Sequence, residues 1–365
     1  MININHLNID LEYARKMHAD FFTCFITKKL TGKACVTSNS NNDHPNRPVF
    51  CKGYDDKSFK YQNQKDFLIK FLITQGNLND LILGKPERLI DLNDAFKKSV
   101  DNLFNKVGVY EEYINTKKEL KSKFKPNKVH CFFKDLASVL NYSILSNDKD
   151  YNSYTLTSNL GIRSCVYCNR TYTITQRKRK DVKDGRLMSP QLDHWFPQSK
   201  FPLLEISFHN LIPSCEICNS RVKSDKLFTL EDYFHPYQDE NVSIDFGYRY
   251  SFMKKRYQFY FKNPSDAKIL RTCKEMFIDQ MYDGHSEELE DLITLRKEYS
   301  ETYLDSLKSN FPDANLSDEL IYLLAFGTEL YEKDFHKRPL SKFKRDILID
   351  LEVIKKETKI SDTSS

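Results

Sequence analysis

The sequence predicts neither a secretory signal nor a membrane-spanning segment. Its first residues, MININHLNIDLEYARK, contain no basic start, no apolar stretch and no small-residue cleavage site, so we expect no secretory signal. No run reaches the roughly 18 apolar residues that a membrane span requires. Lys70 interrupts FLIKFLI, and the apolar run from Leu320 to Phe326 is short. We therefore expect a cytoplasmic protein without membrane contact.

Cysteine is too sparse for a small secreted disulfide scaffold, with nine in 365 residues. In a reducing compartment, closely spaced thiols more often hold a metal than each other. Five of the nine are isolated in the sequence, and we interpret them as buried or unreactive thiols. These five are Cys24, Cys35, Cys51, Cys131 and Cys273.

The composition excludes disorder for most of the chain, because 40% of the residues are hydrophobic and 13% are aromatic. The formal net charge of +5 is concentrated in one segment. Between Gly161 and Lys226 there are twelve Lys or Arg and six Asp or Glu, so this segment carries +6 and the rest of the chain is near −1. A local basic excess is either a solvated face or the footprint of a polyanion.

The hydrophobic pattern predicts an α+β fold, in which mainly helical lobes flank a small module with extra β hairpins. Residues 1–157 form the first lobe, because apolar residues there recur at three-four spacing. The predicted helices are Tyr13 to Leu30, Lys65 to Thr74, Ala95 to Tyr113 and Cys131 to Leu145. Thr37 to Asp56, a stretch of Ser, Asn, Asp, Pro and Gly without hydrophobic periodicity, is predicted to be a loop.

Residues 158–237 form the predicted module, and residues 238–365 the last lobe. In the module, RTYTIT (Arg170 to Thr175) predicts a strand, QRKRKDVKDG a basic hairpin loop, and LMSPQLDHWFP a second extended segment. In the last lobe, SIDFGYRYSF and RYQFYF predict a strand pair. Helical patterns follow, including Ser286 to Phe311 and Asp318 to Lys333, and KISDTSS is predicted to be a frayed tail.

Two Cys-x-x-Cys pairs, Cys165 with Cys168 and Cys215 with Cys218, enclose the β-rich centre. Each pair places two thiolates on one side of a tight turn, and two such turns supply the four soft ligands of a closed tetrahedral zinc site. A redox pair is the alternative, but that function is typical of one pair before a helix in a thioredoxin-like context. The spacing therefore predicts one structural Zn²⁺.

Polar residues of a specific kind and order lie between and beside these pairs. Asp193 and His194 end an apolar-polar alternation, Asn210 opens LIPSC, and Asn219 directly follows the last cysteine. The segment LDHWFPQSKFPLLEISFHNLIPSCEICN resembles the signature of HNH (ββα-metal) nucleases, in the zinc-stapled version typified by phage endonuclease VII. The resemblance covers about 65 residues and neither helical flank.

This resemblance implies a metal-dependent endonuclease whose leading candidate substrate is DNA. His194 is then the general base, because an imidazole with a pKa of about 6.5 can deprotonate water near neutral pH. Asn210 is expected to hold the adjoining loop or the imidazole. Asp193 and Asn219 offer hard oxygen ligands for one Mg²⁺ or Mn²⁺. Asn219 is also a residue type favoured as a helix cap.

Long cations near the motif are candidates for phosphate contacts, although the same residues also fit a solvated surface. They lie in the predicted hairpin and in the helix after the last cysteine: Arg177, Lys178, Arg179, Lys180, Arg221 and Lys223. His209 is predicted to be an exposed strand histidine, with assistance to metal or phosphate as the alternative. His235 is predicted to be structural.

Other functions remain open at this stage. One is an RNA-cutting or tRNA-cutting HNH effector, since the motif does not read the sugar and the flanks carry no known RNA-binding signature. Another is a non-catalytic zinc-ribbon adaptor, although an adaptor has no need of Asp193, His194 and Asn219 together. The long helical flanks make the chain similar to nuclease subunits of Septu-type or retron-associated bacterial antiphage defence systems. That analogy implies an ABC-type ATPase partner, and a stand-alone restriction or homing-like nuclease is its alternative.

Overall fold

The computed structural model of the chain describes residues 1–32, 59–116, 127–148, 151–178, 186–239, 244–262, 266–298, 306 and 317–354. Within these ranges the fold is α+β, as predicted. The main helices are α1 (Leu11–Thr31), α2 (Gln62–Leu68), α3 (Asn77–Leu83), α4 (Pro86–Phe104), α5 (Val109–Thr116), α6 (Lys128–Leu140), α7 (Ile144–Asn147), α8 (Ser153–Leu160), α9 (Ala267–Glu275), α10 (Ile278–Asp283), α11 (Ser286–Glu298), α12 (Asp318–Phe326) and α13 (Ser341–Asp350). No helix in the described ranges is long and apolar enough to cross a bilayer.

The strands form two-stranded antiparallel pairs: β1 (Gln176–Arg177) with β2 (Arg186–Met188), β3 (Gln191–His194) with β4 (Leu211–Ser214), and β5 (Asp245–Ser251) with β6 (Arg256–Lys262). A seven-residue π-helix, Ile217–Lys223, follows β4 and is termed the site helix below. The central pair and the site helix therefore form a strand, strand, helix unit. The last pair confirms the predicted hairpin of the C-terminal lobe.

The first predicted helix, Tyr13 to Leu30, is confirmed as α1. Asp10 caps its N-terminus by accepting a hydrogen bond from the Tyr13 N–H, and Gly32 ends it in a left-handed conformation at φ 69°. The second, Lys65 to Thr74, is also helical, because α2 continues directly into a π-helix. Both helices contribute buried aromatic rings to the core.

The predicted helix Ala95 to Tyr113 is in fact two helices. Asn105 takes a left-handed conformation at φ 50° and ends α4. The Asp101 carboxylate then accepts hydrogen bonds from the N–H groups of Gly108 and Val109, each at 2.9 Å, and so caps the start of α5. The periodicity continues through the break because both helices pack on the same core.

Two other predicted helices also end early at left-handed residues. Asn141, at φ 45°, ends α6 inside the predicted span Cys131 to Leu145, and Gly327, at φ 60°, ends α12 inside Asp318 to Lys333. The start of the predicted helix Ser286 to Phe311 is confirmed as α11. Nearly all of the rest of that span lies outside the described residues, as do the predicted loop at 37–56 and the tail.

The prediction of a strand at Arg170 to Thr175 was wrong. The segment makes one isolated antiparallel bridge, between Ser164 and Tyr172, and β1 begins only at Gln176. Its backbone instead closes the turn around the first cysteine pair, since the Cys165 N–H donates to the Thr171 carbonyl at 3.0 Å. The alternating residues follow a tight turn, and local β propensity yielded to the geometry that brings the thiols together.

One hydrophobic core runs through all three predicted segments. Buried residues of 1–157, 158–237 and 238–354 belong to the same contiguous cluster. The predicted boundary at residue 157 falls inside α8, and the backbone N–H groups of Ile2 and Ile4 donate to the carbonyls of Val166 and Pro236 in the central segment. The helical lobes therefore share one buried core with the central segment.

Candidate metal centre and active site

The four cysteines of the two Cys-x-x-Cys pairs come together in the fold. Their sulfur atoms all lie within 4.8 Å of one another, and the Cys168 and Cys215 sulfurs are 4.0 Å apart. Four sulfurs at the zinc bond length of roughly 2.3 Å in a tetrahedron are about 3.8 Å apart, so the cluster fits such an ion with little adjustment. All four are buried, as a closed structural site requires.

Backbone geometry holds each pair open toward the centre of the cluster. The Arg170 N–H points at the Cys168 sulfur at 3.4 Å, and the Cys218 N–H points at the Cys215 sulfur at 3.5 Å. Asn169 turns the first pair in a left-handed conformation, and the Tyr282 hydroxyl donates to the Cys168 carbonyl at 2.7 Å. The C-terminal lobe therefore helps to fix the first turn.

The electrostatics of the cluster call for a cation. Burial raises the pKa of the Cys165 thiol well above its ordinary value, because a lone thiolate there would be poorly solvated. Four thiolates at this separation would repel one another in a medium of low dielectric constant. A bound divalent ion removes both costs, so the donor set fits a metal such as zinc.

The second candidate centre lies on the hairpin β3–β4 and the site helix. Asp193 faces Ile212 and His194 faces Leu211 across the hairpin, so the two residues sit at the end of the strand nearest the 195–210 loop. As neighbours on a strand, their side chains leave on opposite faces. The site helix packs on β3 on the face that carries Gln191 and Asp193.

His194 is held between a backbone carbonyl and an aromatic ring. Its Nε2 lies 2.9 Å from the Glu205 carbonyl oxygen, and its ring meets the Tyr142 ring edge-on with 4.5 Å between centroids. Burial lowers the pKa of His194 below its ordinary value, although Glu205 and Asp193 oppose the shift. The neutral imidazole therefore predominates at pH 7, with Nε2 as the N–H donor and Nδ1 as the site that can accept a proton.

Asn210 holds the loop between the two strands, one of the two roles expected from the sequence. Its Oδ1 accepts from the Phe196 N–H at 2.7 Å, and its Nδ2 donates to the Leu204 carbonyl at 2.9 Å. Leu204 directly precedes the residue whose carbonyl contacts His194. Asn210 thus fixes the backbone that orients the imidazole, without touching the imidazole itself.

Asp193 is fully engaged by protein groups. The Tyr167 hydroxyl donates to its Oδ2 at 2.6 Å, and the Lys223 ammonium lies 3.2 Å from its Oδ1. Burial raises the pKa of Tyr167, so the hydroxyl remains a donor. Lys223 also donates to the His194 carbonyl at 2.7 Å. A single ammonium therefore ties the site helix to both residues of the Asp-His pair.

Lys223, which was predicted to contact nucleic acid, is buried in the structure and does not reach the surface. Its side chain is 0% exposed, and the ammonium stacks over the Phe228 ring at 5.4 Å. The prediction took Lys223 to be an exposed cation on the helix after the last cysteine. The π-helical turn and the acidic partner on β3 direct Lys223 inward instead, and burial lowers its pKa while Asp193 opposes the shift.

Asn219 and Asp193 do not form an open pair of metal ligands here. The Asn219 Nδ2 donates to the Gln191 Oε1 at 2.9 Å, two residues before Asp193 on the same strand face. Asp193 has a donor on each oxygen, and one of those donors is a cation. As placed, the donor set does not fit a Mg²⁺ or Mn²⁺ ion. Among the described residues, the cysteine cluster is the only group of three or more His, Cys, Asp or Glu side chains close enough to share an ion.

The other predicted cations are partly on the surface. Arg177 on β1 and Arg221 on the site helix are exposed, and Lys178 is half-buried. The Arg221 guanidinium lies 3.5 Å from the Glu216 carboxylate, so its charge is partly balanced. Arg179 and Lys180 lie outside the described residues.

The two uncertain histidines are both internal. His209 was predicted to be exposed, but it is buried, and its Nδ1 lies 2.8 Å from the Gly84 carbonyl of the N-terminal lobe. Burial lowers the pKa of His209 to about 4. His235 is buried against Trp195 and its Nδ1 accepts from the Tyr237 N–H at 3.1 Å. These contacts fit a structural role, as predicted for His235.

The sequence did not predict three residues that contact Asp193 or His194 in the second candidate centre: Tyr167, Glu205 and Tyr142. Tyr167 lies inside the first Cys-x-x-Cys pair, and its place there was the one available signal, because a residue between two ligands is carried to the metal centre with them. Glu205 and Tyr142 have no sequence signal, since Glu205 reaches His194 from the 195–210 loop and Tyr142 from the turn between α6 and α7.

Three comparisons with known proteins were negative. No family model matches the chain, and no curated protein and no solved structure matches it.

Proposed function

We propose that this chain is a nucleic-acid phosphodiester hydrolase of the HNH type that cleaves DNA. The cysteine cluster would hold a structural Zn²⁺. The observation that carries the proposal is His194 at the end of β3, next to buried Asp193, in a strand, strand, helix unit that carries two of the four clustered cysteines. The residue order of the resemblance and this spatial order support each other. The cluster supplies rigidity, because a structural zinc site contributes free energy to folding.

His194 is the proposed general base. The Glu205 carbonyl and the Tyr142 ring restrict the imidazole, and its lowered pKa keeps it able to accept a proton from water at neutral pH. Asn210 is a positioning residue, acting through the loop that carries Glu205. Because Lys223 and Tyr167 hold both oxygens of Asp193, no step of the proposed hydrolysis is assigned to a Mg²⁺ or Mn²⁺ ion.

One experiment tests the proposal. Wild-type protein and His194→Ala are incubated with supercoiled plasmid, single-stranded DNA and RNA, each with Mg²⁺, Mn²⁺ or EDTA. Wild-type cleavage that is lost in His194→Ala, while the variant still unfolds in one cooperative thermal transition, supports a nuclease with this base. Cleavage by His194→Ala at the wild-type rate would exclude His194 as the base. Cleavage of RNA alone would replace the DNA assignment by the RNA-cutting one.

A non-catalytic adaptor is the second candidate, and one observation favours it. The buried pair of Asp193 and Lys223 satisfies the carboxylate internally, as a purely structural residue would. If the chain is an adaptor, the wild-type protein should cleave none of the three substrates with Mg²⁺, with Mn²⁺ or with EDTA. A proposed ABC-type ATPase partner, drawn from the resemblance, is compatible with either function. Co-purification of the chain with the product of its genomic neighbour would test that partnership.

A further inference from the structure

The hairpin β5–β6 carries an aromatic and basic surface that the candidate active site does not use. Across the hairpin, Tyr250 pairs with Tyr257 and Tyr248 pairs with Phe259, so one face of both strands is aromatic. The base of this face is fixed, because Phe246 packs on Tyr282 and Phe343 in the core. We call residues 248–257 the hairpin arm.

The tip of the arm projects into solvent, whereas Tyr248 and Tyr257 at its base are packed against the core. Exposure rises from 2% at Phe246 to 44% at Tyr250, 85% at Phe252 and 97% at Met253. Seven residues of extended strand span about 20 Å, so the tip stands well clear of the packed base. Two apolar side chains that are this exposed at a loop tip bury little surface within the fold, and such exposure is typical of a binding surface.

The charge of the arm has one sign. Residues 246–261 contain four Lys or Arg and no Asp or Glu. Arg249, Lys254 and Lys255 are exposed, and none of them forms an ion pair with an acidic residue in the described part of the chain. Arg249 instead stacks on the Tyr260 ring, with 5.7 Å from its guanidinium carbon to the centroid. Such a surface is complementary to a polyanion.

We infer that the hairpin arm binds single-stranded nucleic acid, with its cations on the phosphates and its tip rings on the bases. Stacking on aromatic side chains needs exposed base faces, which a single strand offers and an intact duplex hides. Phe252 and Tyr250 already meet at 5.2 Å between ring centroids, so they form a small preassembled platform. The inference rests on the proposed function, since it supplies a substrate-holding element to the same nuclease.

Binding is measured without added Mg²⁺ or Mn²⁺ and without a chelator, so that the structural zinc is retained while cleavage is not supported. The probe is a fluorescein-labelled 20-nucleotide oligo(dT), followed by anisotropy against wild type and against two variants of the full chain. The aromatic variant is Phe252→Ala with Met253→Ala. The charge variant is Arg249→Gln with Lys254→Gln and Lys255→Gln. The matched control changes three exposed lysines that lie on helices away from the arm: Lys16→Gln, Lys274→Gln and Lys297→Gln.

The aromatic variant is expected to bind on the order of tenfold more weakly than wild type, as loss of base stacking predicts. The charge variant should lower the slope of log Kd against log salt by about 2, because each phosphate contact in a single strand contributes about 0.7. The control triple should change neither quantity to that extent. Equal losses in the charge variant and the control triple would overturn the inference, since they would show a general charge effect.

A fluorescent variant distinguishes single-stranded nucleic acid from a duplex and from a lipid surface as the ligand of the arm. Trp195 is the single tryptophan of the sequence and is buried, so Phe252→Trp adds an exposed indole whose fluorescence reports on the tip. Quenching by oligo(dT), and much less by a 20-base-pair duplex, supports the inference. Quenching or a blue shift with phosphatidylserine vesicles but not with oligo(dT) would overturn it in favour of a membrane surface.

The same measurements distinguish the two proposals from each other. If wild type binds oligo(dT) through the arm but cuts nothing, the arm stands and the nuclease proposal fails. If wild type cuts nucleic acid and both arm variants bind and cut as wild type does, the arm inference fails and the nuclease proposal stands.

Discussion

The Lys223 ammonium lies 3.2 Å from the Asp193 Oδ1, and both side chains are removed from solvent. The pair joins the site helix to β3 at the residue next to the proposed general base. A buried pair of this kind is stabilised by mutual attraction and by further hydrogen bonds, which here come from Tyr167 and the His194 carbonyl. Breaking the pair therefore has consequences for both stability and the site.

Replacing Lys223 by methionine is expected to destabilise the protein by about 3–5 kcal/mol, because it leaves a buried carboxylate without its counter-charge. Urea unfolding measures the change. Lys226→Met is the matched control: that lysine pairs with Glu275 near the surface, so its loss should cost about 1 kcal/mol or less. The double variant with Asp193→Asn should recover part of the stability. Equal costs for the Lys223 and Lys226 variants would mean that the buried pair is not important for folding.

Zinc analysis should find about one ion per chain, and Cys168→Ser should lower both zinc content and melting temperature. Cys273→Ser is the control, because Cys273 is buried but lies outside the cluster. Only the first variant should release metal. Wild-type protein that is metal-free and equally stable would contradict the metal centre.

Asn210→Ala should cost about 2–3 kcal/mol, because it leaves the Phe196 N–H and the Leu204 carbonyl buried without their partner. Activity should also fall, since Leu204 precedes the carbonyl that holds His194. Unfolding and cleavage are measured together. Asn102→Ala, at an exposed position of α4, should stay within about 0.5 kcal/mol of wild type. An Asn210 variant that behaves like the Asn102 variant would show that the loop does not need this side chain.

Stability should fall on acidification between about pH 6.5 and pH 4. Burial lowers the pKa of both His18 and His209 from 6.5 to about 4, so each is neutral in the folded protein where the unfolded chain takes up a proton. The unfolded state therefore binds more protons in this window, and the stability present above pH 6.5 is lost as the pH falls. Each shift corresponds to roughly 3 kcal/mol at most.

Histidine variants identify the source of that loss. His209→Gln can still donate to the Gly84 carbonyl but cannot titrate, so its unfolding free energy should depend less steeply on pH than that of wild type. His6→Gln, at an exposed position, is the control and should leave the pH dependence unchanged. An unchanged slope in the His209 variant would assign the acid sensitivity to other groups.

Local sequence carried some of these features by itself. The two Cys-x-x-Cys turns brought their thiols together as predicted, because the spacing within each pair fixes a short-range geometry and the soft ligands have one common use. The hairpin β5–β6 and helix α1 also follow from local patterns, since each buries one face of a long periodic segment. The structure places Asp193 and His194 on β3, Asn210 directly before β4, and Asn219 in the site helix.

Tertiary structure decided what these residues touch. Nothing in the sequence around Lys223 distinguishes an inward ammonium from an outward one, because the choice depends on a carboxylate thirty residues away and on a π-helical turn. The sequence around His209 predicts a surface histidine. In the fold, α3 and the glycine that follows it, Gly84, cover this side chain. The segment 170–175 has strand propensity, but closing the cysteine turn took precedence. Periodicity and spacing report local geometry, whereas burial and ion pairing depend on segments that are distant in the chain and meet only when it folds.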